Sequence, residues 1–338
     1  MTQVSVPVAA SLYAREAVRG DEAVDLYDAV ASLSADGRHW QVPVGARVFR
    51  PCRSRMRKAL IRRLFSSRYG LVTDAVSGPD FDRRIDLLLA DNRRGRRPVV
   101  TVLGEPYALP RTTGSGHTLG TIDIPRHLLA PGAIVPMATG AATGPSTVTA
   151  VAPEGVSIIC DIDDTVKSTG VRSRRALWES TFFKPFSVVP GMADMLARLG
   201  GGGLPVHYVS STPWHLHAPV REWMMACGLP LASMHLKHIR LVDSSVFDIM
   251  AVPQRTKPPL IMRLLDRFPQ RRFILIGDDV EKDPAIYAAI WAQRPSQICR
   301  ILIRRTPGNP NPDQIASSLS AVPADIWTAF EDPAKVPS

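Results

Sequence analysis

The second half of the sequence alternates short apolar runs with segments of helical periodicity. The apolar runs contain five or six residues each and end at Cys160, Ser210, Ile239, Gly277 and Ile303. Runs of this length that are rich in β-branched residues fit buried strands better than helices. Strands that alternate with helices are typical of βαβ units, in which the strands lie parallel in one sheet. We therefore predict an α/β domain built on a parallel sheet.

The first half of the sequence predicts a different architecture. Short strand-like stretches, separated by turn-forming residues, occur at 39–49, 83–91, 97–104 and 119–129. Two helices are expected to interrupt these strands, over 21–33 and over 53–70. This pattern predicts a small antiparallel β-sandwich or barrel.

Composition shifts divide the chain into three parts. Residues 129–155 are rich in Gly, Ala, Pro and Thr and carry almost no charge, as expected of a linker with strand-like ends. The predicted parts are a β-rich basic domain with its linker over 1–150, the α/β domain over 151–310 and a Pro-rich docking tail over 311–338. In the tail we expect one short helix and a docking segment around Trp327 and Phe330.

The composition is that of a globular protein. Of the 338 residues, 45% are hydrophobic and 21% are charged. We find no apolar run that reaches the roughly 18 to 20 residues of a membrane span, and no secretion signal. The four cysteines form no CxxC pair, which fits a reducing compartment. We therefore predict a cytoplasmic protein that could associate peripherally with a membrane.

The charge of the chain points to a negatively charged partner. The net charge is +10, and the excess of basic residues lies in the first half. Residues 47–68 contain no acid, and Met56, Leu60, Leu64 and Phe65 recur there at helical spacing. A basic amphipathic helix can lie on an anionic membrane, but the same pattern fits a solvated face over the domain's own core. Nucleic acid and phosphorylated small molecules are other anions that this charge would attract.

Polar groups follow the ends of several predicted strands. The first strand runs into Asp161, Asp163 and Asp164, whose carboxylates repel one another unless a cation or a reaction uses them. The other polar groups are Ser210 after the second run, Lys257 at the start of a helix, and Asp278, Asp279 and Asp283 after the fourth run. Because open parallel sheets bind ligands beyond the carboxyl ends of their strands, we expect these groups to meet. Two strands that end in carboxylates suit a hard divalent cation such as Mg²⁺.

The order of these motifs identifies a family resemblance. DxDxT, then Ser after a second strand, then Lys, then GDxxxxD resembles the haloacid dehalogenase superfamily of phosphotransferases. The finer signature resembles the actin patch-associated phosphatidate phosphatase family and its bacterial relatives; it consists of DIDDTVKSTGV, FFKPFSVVPGM, YVSSTPWHL and IGDDVEKDPAIY. The resemblance covers about residues 156–305, and the first half is similar to the family's β domain. It implies a Rossmann-like haloacid dehalogenase-type sheet preceded by a smaller β-rich domain.

The resemblance also implies the chemistry. Asp161 would be the nucleophile that forms an aspartyl-phosphate intermediate, and Asp163 would be the general acid and base. Asp161, Asp278 and the backbone carbonyl of Asp163 would hold Mg²⁺ as the cofactor.

The remaining motif residues would support this chemistry. Ser210 and Lys257 would bind the phosphoryl oxygens. Asp279 and Asp283 are candidates for orienting the water ligands of the metal from outside its coordination sphere. Other polar residues are expected to be structural: Asp164 and Thr165 in shaping the turn, His207 in the core and His215 at the solvated surface.

The sequence therefore predicts a Mg²⁺-dependent phosphoric monoester hydrolase of lipid metabolism. Its substrate would be an anionic lipid at a membrane surface, with phosphatidate as the substrate that the resemblance implies. One alternative is a phosphatase of soluble phosphoesters or of nucleic-acid ends. Another is a membrane-binding scaffold whose phosphatase domain is secondary.

Overall fold

The structure is a computed structural model that describes residues 15–69, 78–169, 179–199, 203–238, 253–309 and 314–338. Two β-sheets organise these residues. The first sheet has nine strands and is built from the first half of the chain, and the second has six strands and is built from the second half.

The first sheet confirms the prediction of a β-rich first half. Its strands are β1 (Ala23–Leu26), β2 (Ala29–Leu33), β3 (His39–Arg50), β4 (Asp91–Asn92), β5 (Val99–Val102), β6 (Glu105–Ala108), β7 (His117–Pro125), β8 (Ile134–Ala138) and β9 (Ser146–Ala150). The order is β1-β3-β2-β9-β8-β5-β6, and β4 and β7 also pair with β3. The strand β3 alternates, with Trp40, Val42 and Val44 fully buried on one side. All named pairs are antiparallel except β2 with β9, which is parallel.

Two predicted elements of the first half are wrong, and each has a physical reason. The helix predicted over 21–33 is instead the strands β1 and β2, because both segments pair with the long strand β3. The strand predicted over 83–91 is instead largely helix α2 (Pro79–Leu88). The helix buries Phe81, Ile85 and Leu88, which follow helical spacing, and Pro79 favours a helix start.

One further prediction for the first half agrees with the structure, since the basic segment 53–70 forms helix α1 (Arg55–Tyr69). The segment 129–155 forms strands, as its ends were predicted to do, but it is not a linker. Its strands β8 and β9 pair with each other and with β5 and β2 inside the first sheet. The connection between the sheets is therefore short, because β10 (Gly155–Cys160) begins soon after β9 ends.

The second sheet confirms the predicted parallel arrangement. Its other strands are β11 (Val206–Pro213), β12 (Ser233–Lys237), β13 (Arg271–Asp278), β14 (Ile298–Arg304) and β15 (Trp327–Phe330). The order is β12-β11-β10-β13-β14-β15, and every pair is parallel. All five predicted strands are present, although Ile239 lies outside the described residues. The predicted docking segment of the tail is β15, which completes the edge of the sheet.

Helices cover both faces of this sheet. They are α3 (Met192–Leu199), α4 (His217–Ala226), α5 (Pro253–Arg267), α6 (Asp283–Gln293) and the short α7 (Gln314–Ser318). On one face, Ile158 and Tyr208 pack in a core with Met192 of α3. On the other face, Ile159 packs in a core with Leu264 of α5. Burial on both faces explains why the strands read as continuous apolar runs.

The strand order fixes where a ligand can bind. The chain proceeds outward from β10 to β12 in one direction, and then returns to place β13 on the other side of β10. At this reversal the helices leave on opposite faces, which opens a crevice beyond the carboxyl ends of β10 and β13. No described helix is long and apolar enough to cross a lipid bilayer.

A buried ion pair and a buried histidine–aspartate contact join the two halves of the chain. Arg221 of α4 pairs with Asp28, which lies between β1 and β2, at a nitrogen-to-oxygen distance of 2.6 Å. Nδ1 of His217 lies 2.9 Å from Oδ1 of Asp25 in β1. Both carboxylates are almost fully buried, so these contacts hold the sheets in one arrangement.

Candidate active site

Asp161 is the first residue beyond β10. Its backbone N–H donates to the carbonyl of Ile276 at 2.9 Å, which continues the pairing of β10 with β13 by one residue. The chain then turns through Asp164, whose φ of 56° lies in the left-handed region. The Asp164 carboxylate accepts from the backbone N–H of Thr169 at 2.9 Å, and this bond stabilises the turn. Asp164 therefore has the structural role that the sequence predicted.

The carboxyl ends of β10 and β13 bring four carboxylates together. Oxygens of Asp161, Asp278, Glu281 and Asp283 all lie within 4.8 Å of one another. Three of these residues are almost fully buried and Glu281 is half-buried. Carboxylate oxygens are the ligands that hard divalent cations prefer. We call these four residues the acidic cluster.

The loop after β13 holds the acidic cluster in shape. Oδ1 of Asp278 accepts from the backbone N–H groups of Val280 and Glu281, at 2.7 and 2.8 Å. Gly277 allows Asp283 to approach the strand, because a Cβ at Gly277 would lie 2.4 Å from Oδ2 of Asp283. This close approach is a physical reason for glycine in the GDxxxxD motif.

Lys257 extends from α5 into the acidic cluster. Its Nζ lies 2.8 Å from Oδ1 of Asp161, 2.6 Å from Oδ1 of Asp283 and 2.5 Å from Oε2 of Glu281. The side chain is only 1% exposed. Burial lowers the pKa of Lys257, but the attraction of Asp161, Asp283 and Glu281 outweighs it and raises that pKa well above its usual value. Lys257 is therefore a permanent cation at the site.

One lysine does not balance four carboxylates. Burial raises the pKa of Asp161 well above its usual value; Lys257 opposes this shift, and Asp283 and Glu281 add to it. Burial and the nearby Asp283 also raise the pKa of Asp278. Lys257 can neutralise only one of the four carboxylates when all are ionised, so a bound cation would favour the ionised forms.

The contacts of Thr165 give an independent indication that the donor set fits a cation. Its Oγ1 lies 3.2 Å from Oδ2 of Asp161 and 3.4 Å from Oδ2 of Asp278. A hydroxyl has one hydrogen and can serve only one of these oxygens at a time. The two carboxylate oxygens therefore converge on one donor, and the donor set fits a divalent cation.

Asp163 lies in a second set of contacts at the same edge. Its Oδ1 accepts from Nζ of Lys167 at 2.7 Å, and its Oδ2 accepts from Thr212 at 3.0 Å and from Ser210 at 3.2 Å. Burial would raise the pKa of Asp163, but Lys167 and the Thr212 hydroxyl outweigh it and lower that pKa. In this state Asp163 is an ionised carboxylate and can accept a proton.

The structure brings most of the sequence-predicted site residues together. Asp161, Asp278, Asp283 and Lys257 meet in the acidic cluster, and Ser210 contacts Asp163 beside it. Asp279 points elsewhere, because its Oδ1 accepts from the backbone N–H of Thr306 at 2.9 Å.

Four residues at the site were not assigned a role there from the sequence: Thr165, Lys167, Thr212 and Glu281. Thr165 and Lys167 lie four and six residues beyond Asp161, and Glu281 lies between Asp278 and Asp283. The sequence offered one sign of these residues, their proximity to the motifs. Their side chains reach the site because of the local backbone geometry, which the sequence does not show directly.

Two histidines near the site were also assessed from the sequence. His207 is a core residue, as predicted, and its Nδ1 lies 2.8 Å from the hydroxyl of Ser233. The prediction of a solvated His215 is wrong, because the side chain is fully buried. It follows β11 in the 3₁₀ turn Trp214–Leu216, and its ring lies 6.2 Å from that of His117 in β7. The first sheet therefore covers this position.

Fold and site together define a class of protein. The class is an α/β fold with a buried acidic cluster, a buried lysine and hydroxyl donors at the carboxyl edge of its parallel sheet, where they can bind a metal ion and an anionic group. Comparison with known proteins makes the class more specific. Residues 156–305 match the family described as phosphatidate phosphatase APP1, catalytic domain. This match confirms the resemblance to the phosphatidate phosphatase family that was predicted from the sequence for about residues 156–305.

Two curated relatives cover the same region. An uncharacterized protein of Schizosaccharomyces pombe is 33% identical over 154 residues, which are 44% of this chain and 25% of the relative. Phosphatidate phosphatase APP1 of Saccharomyces cerevisiae is 30% identical over 158 residues, which are 46% of this chain and 26% of the relative. The matched region thus spans about a quarter of the length of either relative.

Proposed function

We propose that this chain is a Mg²⁺-dependent phosphatase that hydrolyses the phosphomonoester of an anionic lipid, phosphatidate, at a membrane surface. The observation that carries the proposal is the acidic cluster with its buried Lys257, which lies inside the stretch that matches the phosphatase family. The family match supports a phosphatase, and the excess negative charge of the cluster supports a divalent cation.

The proposal includes the haloacid dehalogenase-type fold and the three-part division of the chain. The all-parallel sheet with its reversal between β10 and β13 supports this assignment for 151–310. A separate β-rich sheet supports the first part, 1–150. In the tail, 311–338, the strand β15 docks onto the second sheet.

In the proposed reaction Asp161 is the nucleophile. Its carboxylate attacks phosphorus and displaces the lipid alkoxide, which gives an aspartyl-phosphate. Asp163, protonated when the substrate is bound, donates that proton to the departing oxygen, and the carboxylate that results then takes a proton from the water that hydrolyses the aspartyl-phosphate. The contacts of Asp163 with Lys167, Thr212 and Ser210 orient its carboxyl group and favour the ionised form that accepts the proton in the second step.

The other residues bind the phosphoryl group and the metal. Lys257 Nζ lies beside Asp161 Oδ1, so a phosphoryl group attached there would meet its positive charge. Ser210 would donate its hydroxyl to a phosphoryl oxygen. Asp161, Asp278 and the backbone carbonyl of Asp163 would hold Mg²⁺, which would neutralise charge between nucleophile and phosphate.

Asp283 is the carboxylate that we propose for the supporting role outside the metal's coordination sphere, which is to orient the water ligands of the metal. Asp283 is fully buried and orients Lys257. We do not extend this role to Asp279, whose carboxylate is engaged with the backbone of Thr306.

The test is Mg²⁺-dependent phosphate release from phosphatidate in mixed vesicles, measured beside release from a soluble aryl phosphate. We expect wild type to act on phosphatidate, and we expect Asp161→Asn and addition of a chelator to abolish turnover. Asp266→Asn is the matched control, because this carboxylate is 61% exposed and pairs with Arg294 at the surface. Turnover of the aryl phosphate alone would contradict the lipid substrate, and undiminished turnover by Asp161→Asn would contradict the mechanism.

A further inference from the structure

Helix α1 presents an apolar stripe on its outward side. Met56, Leu60 and Leu64 are spaced four residues apart and are 80%, 59% and 38% exposed. The inward side is different, since Ile61 is buried and Lys58 and Arg62 form ion pairs with Asp86 and Asp82 of α2. The helix therefore uses its charged side to attach to the protein and leaves its apolar side outward. The side chain of Phe65 lies outside the described residues.

Basic residues flank the apolar stripe. At about 100° per residue, Arg63 projects beside Met56 and Leu60, while Arg57 projects beside Leu64 and pairs with Asp91. Arg53, just before the helix, and Arg63 are exposed, and neither forms an ion pair within the described part of the chain. No acid occurs between residues 47 and 68. An exposed apolar stripe with arginines on both sides is complementary to an anionic lipid surface, where acyl chains lie beneath phosphate groups.

The helix lies near the carboxyl edge of the second sheet. Its neighbour α2 packs against the 3₁₀ turn Trp214–Leu216, which directly follows β11. The end of β11 carries Ser210 and Thr212, which contact Asp163. One helix thus separates α1 from the edge that carries the candidate active site. A surface that binds α1 would also lie near this edge.

We propose that α1 docks this protein onto an anionic lipid bilayer. Met56, Leu60 and Leu64 enter the boundary between headgroups and acyl chains, and Arg53 and Arg63 contact headgroup phosphates. The docking deepens the proposed function and rests on it in one respect: the substrate of the site would be a lipid of the same bilayer. Neutralising the arginines weakens binding by reducing charge attraction, whereas making the stripe polar weakens it at any salt concentration.

The experiment measures binding of the full chain to vesicles of phosphatidylcholine with and without 20% phosphatidate, by co-sedimentation at two salt concentrations. We expect Met56→Gln with Leu60→Gln to lower binding at least about tenfold, because two apolar side chains lose their transfer free energy. We expect Arg53→Gln with Arg63→Gln to lower it about 10- to 30-fold at low salt and less at high salt. The matched control is Leu128→Gln with Ile134→Gln, two apolar residues of similar exposure, 51% and 62%, in the first half. Thermal unfolding verifies that every variant is folded.

The outcomes separate docking from catalysis. Wild-type binding to phosphatidate vesicles that is lost in the α1 variants and kept in the control supports the proposal. Equal binding to pure phosphatidylcholine, or unchanged binding of the α1 variants, overturns it. A dimer that the Met56 and Leu60 substitutions dissociate, without vesicle binding, also overturns it in favour of a second copy on this face. Phosphate release from the aryl ester without vesicle binding rejects docking alone, whereas α1-dependent binding without any phosphate release rejects the proposed function alone.

Discussion

Replacing Asp278 by asparagine is expected to stabilise the metal-free protein while weakening its response to Mg²⁺. In the structure, Oδ1 of Asp278 accepts from the N–H groups of Val280 and Glu281, and an asparagine oxygen can accept the same two bonds. The substitution therefore removes a negative charge from the acidic cluster without removing the loop contacts. The charge that is lost is one that burial and Asp283 already disfavour.

The magnitude follows from the geometry of the cluster. Two unit charges 4.8 Å apart repel by about 3.5 kcal/mol at an effective dielectric constant of about 20. Asp278 has three such neighbours, and Lys257 offsets part of the repulsion. Because the pKa of Asp278 is raised, the folded protein can also relieve the repulsion by binding a proton, which limits the gain. We expect a gain of about 1–3 kcal/mol, or about 1–4 °C in Tm.

The assay is thermal unfolding in chelator and in saturating Mg²⁺. Wild type is expected to gain about 2.7 kcal/mol when Mg²⁺ is at about 100 times its Kd, and Asp278→Asn much less. Asp279→Asn is the matched control: it removes the adjacent carboxylate, which lies outside the cluster, and should change neither value appreciably. The reasoning is refuted if Asp278→Asn is less stable than wild type in chelator, or if Mg²⁺ stabilises both proteins equally.

Three further predictions concern single contacts. Gly277→Ala places a Cβ 2.4 Å from Oδ2 of Asp283, so we expect it to lower the free energy of unfolding by about 1–3 kcal/mol. Denaturant unfolding measures this change, and unchanged stability would show that the loop can move to make room for the Cβ. Lys167→Met leaves the buried carboxylate of Asp163 without its cation and should lower the free energy of unfolding by about 3 kcal/mol. Adding Asp163→Asn to the same chain should restore part of that stability. A double-mutant cycle that shows no restoration would contradict the pairing. For Glu22, burial raises the pKa but hydrogen bonds from arginine side chains and a backbone N–H lower it to about 2, below its ordinary 4.5. Because the folded pKa is depressed, this stabilisation of about 2–3 kcal/mol is present above about pH 4.5 and is lost as the pH falls towards 2. Glu22→Gln should make the free energy of unfolding depend less on pH in this range. An unchanged pH dependence of stability would contradict the role given to Glu22.

The parallel sheet could be predicted because a sheet that is buried on both faces requires a recognisable sequence pattern. Each inner strand must be apolar on both sides, so runs such as 156–160 and 272–277 stand out against the amphipathic helices between them. The secondary structure of the first half is harder to predict from the sequence, because its strands bury one face and pair with strands that are distant in the chain. The segment 21–33 has helical spacing in isolation, and only its pairing with β3 makes it two strands.

The candidate site divides in the same way. The chemical types of the site residues and their order can be predicted from the chain, since carboxylates placed directly after apolar runs must lie at the carboxyl edge of a parallel sheet. Which of these carboxylates converge depends on the three-dimensional fold. The sequence made Asp279 a candidate and gave Glu281 no role, but the turn after β13 directs Glu281 to Lys257 and Asp279 to the backbone of Thr306. The reason is physical: sequence adjacency fixes only backbone separation, whereas the direction of a side chain depends on dihedral angles that packing against β14 and α5 selects.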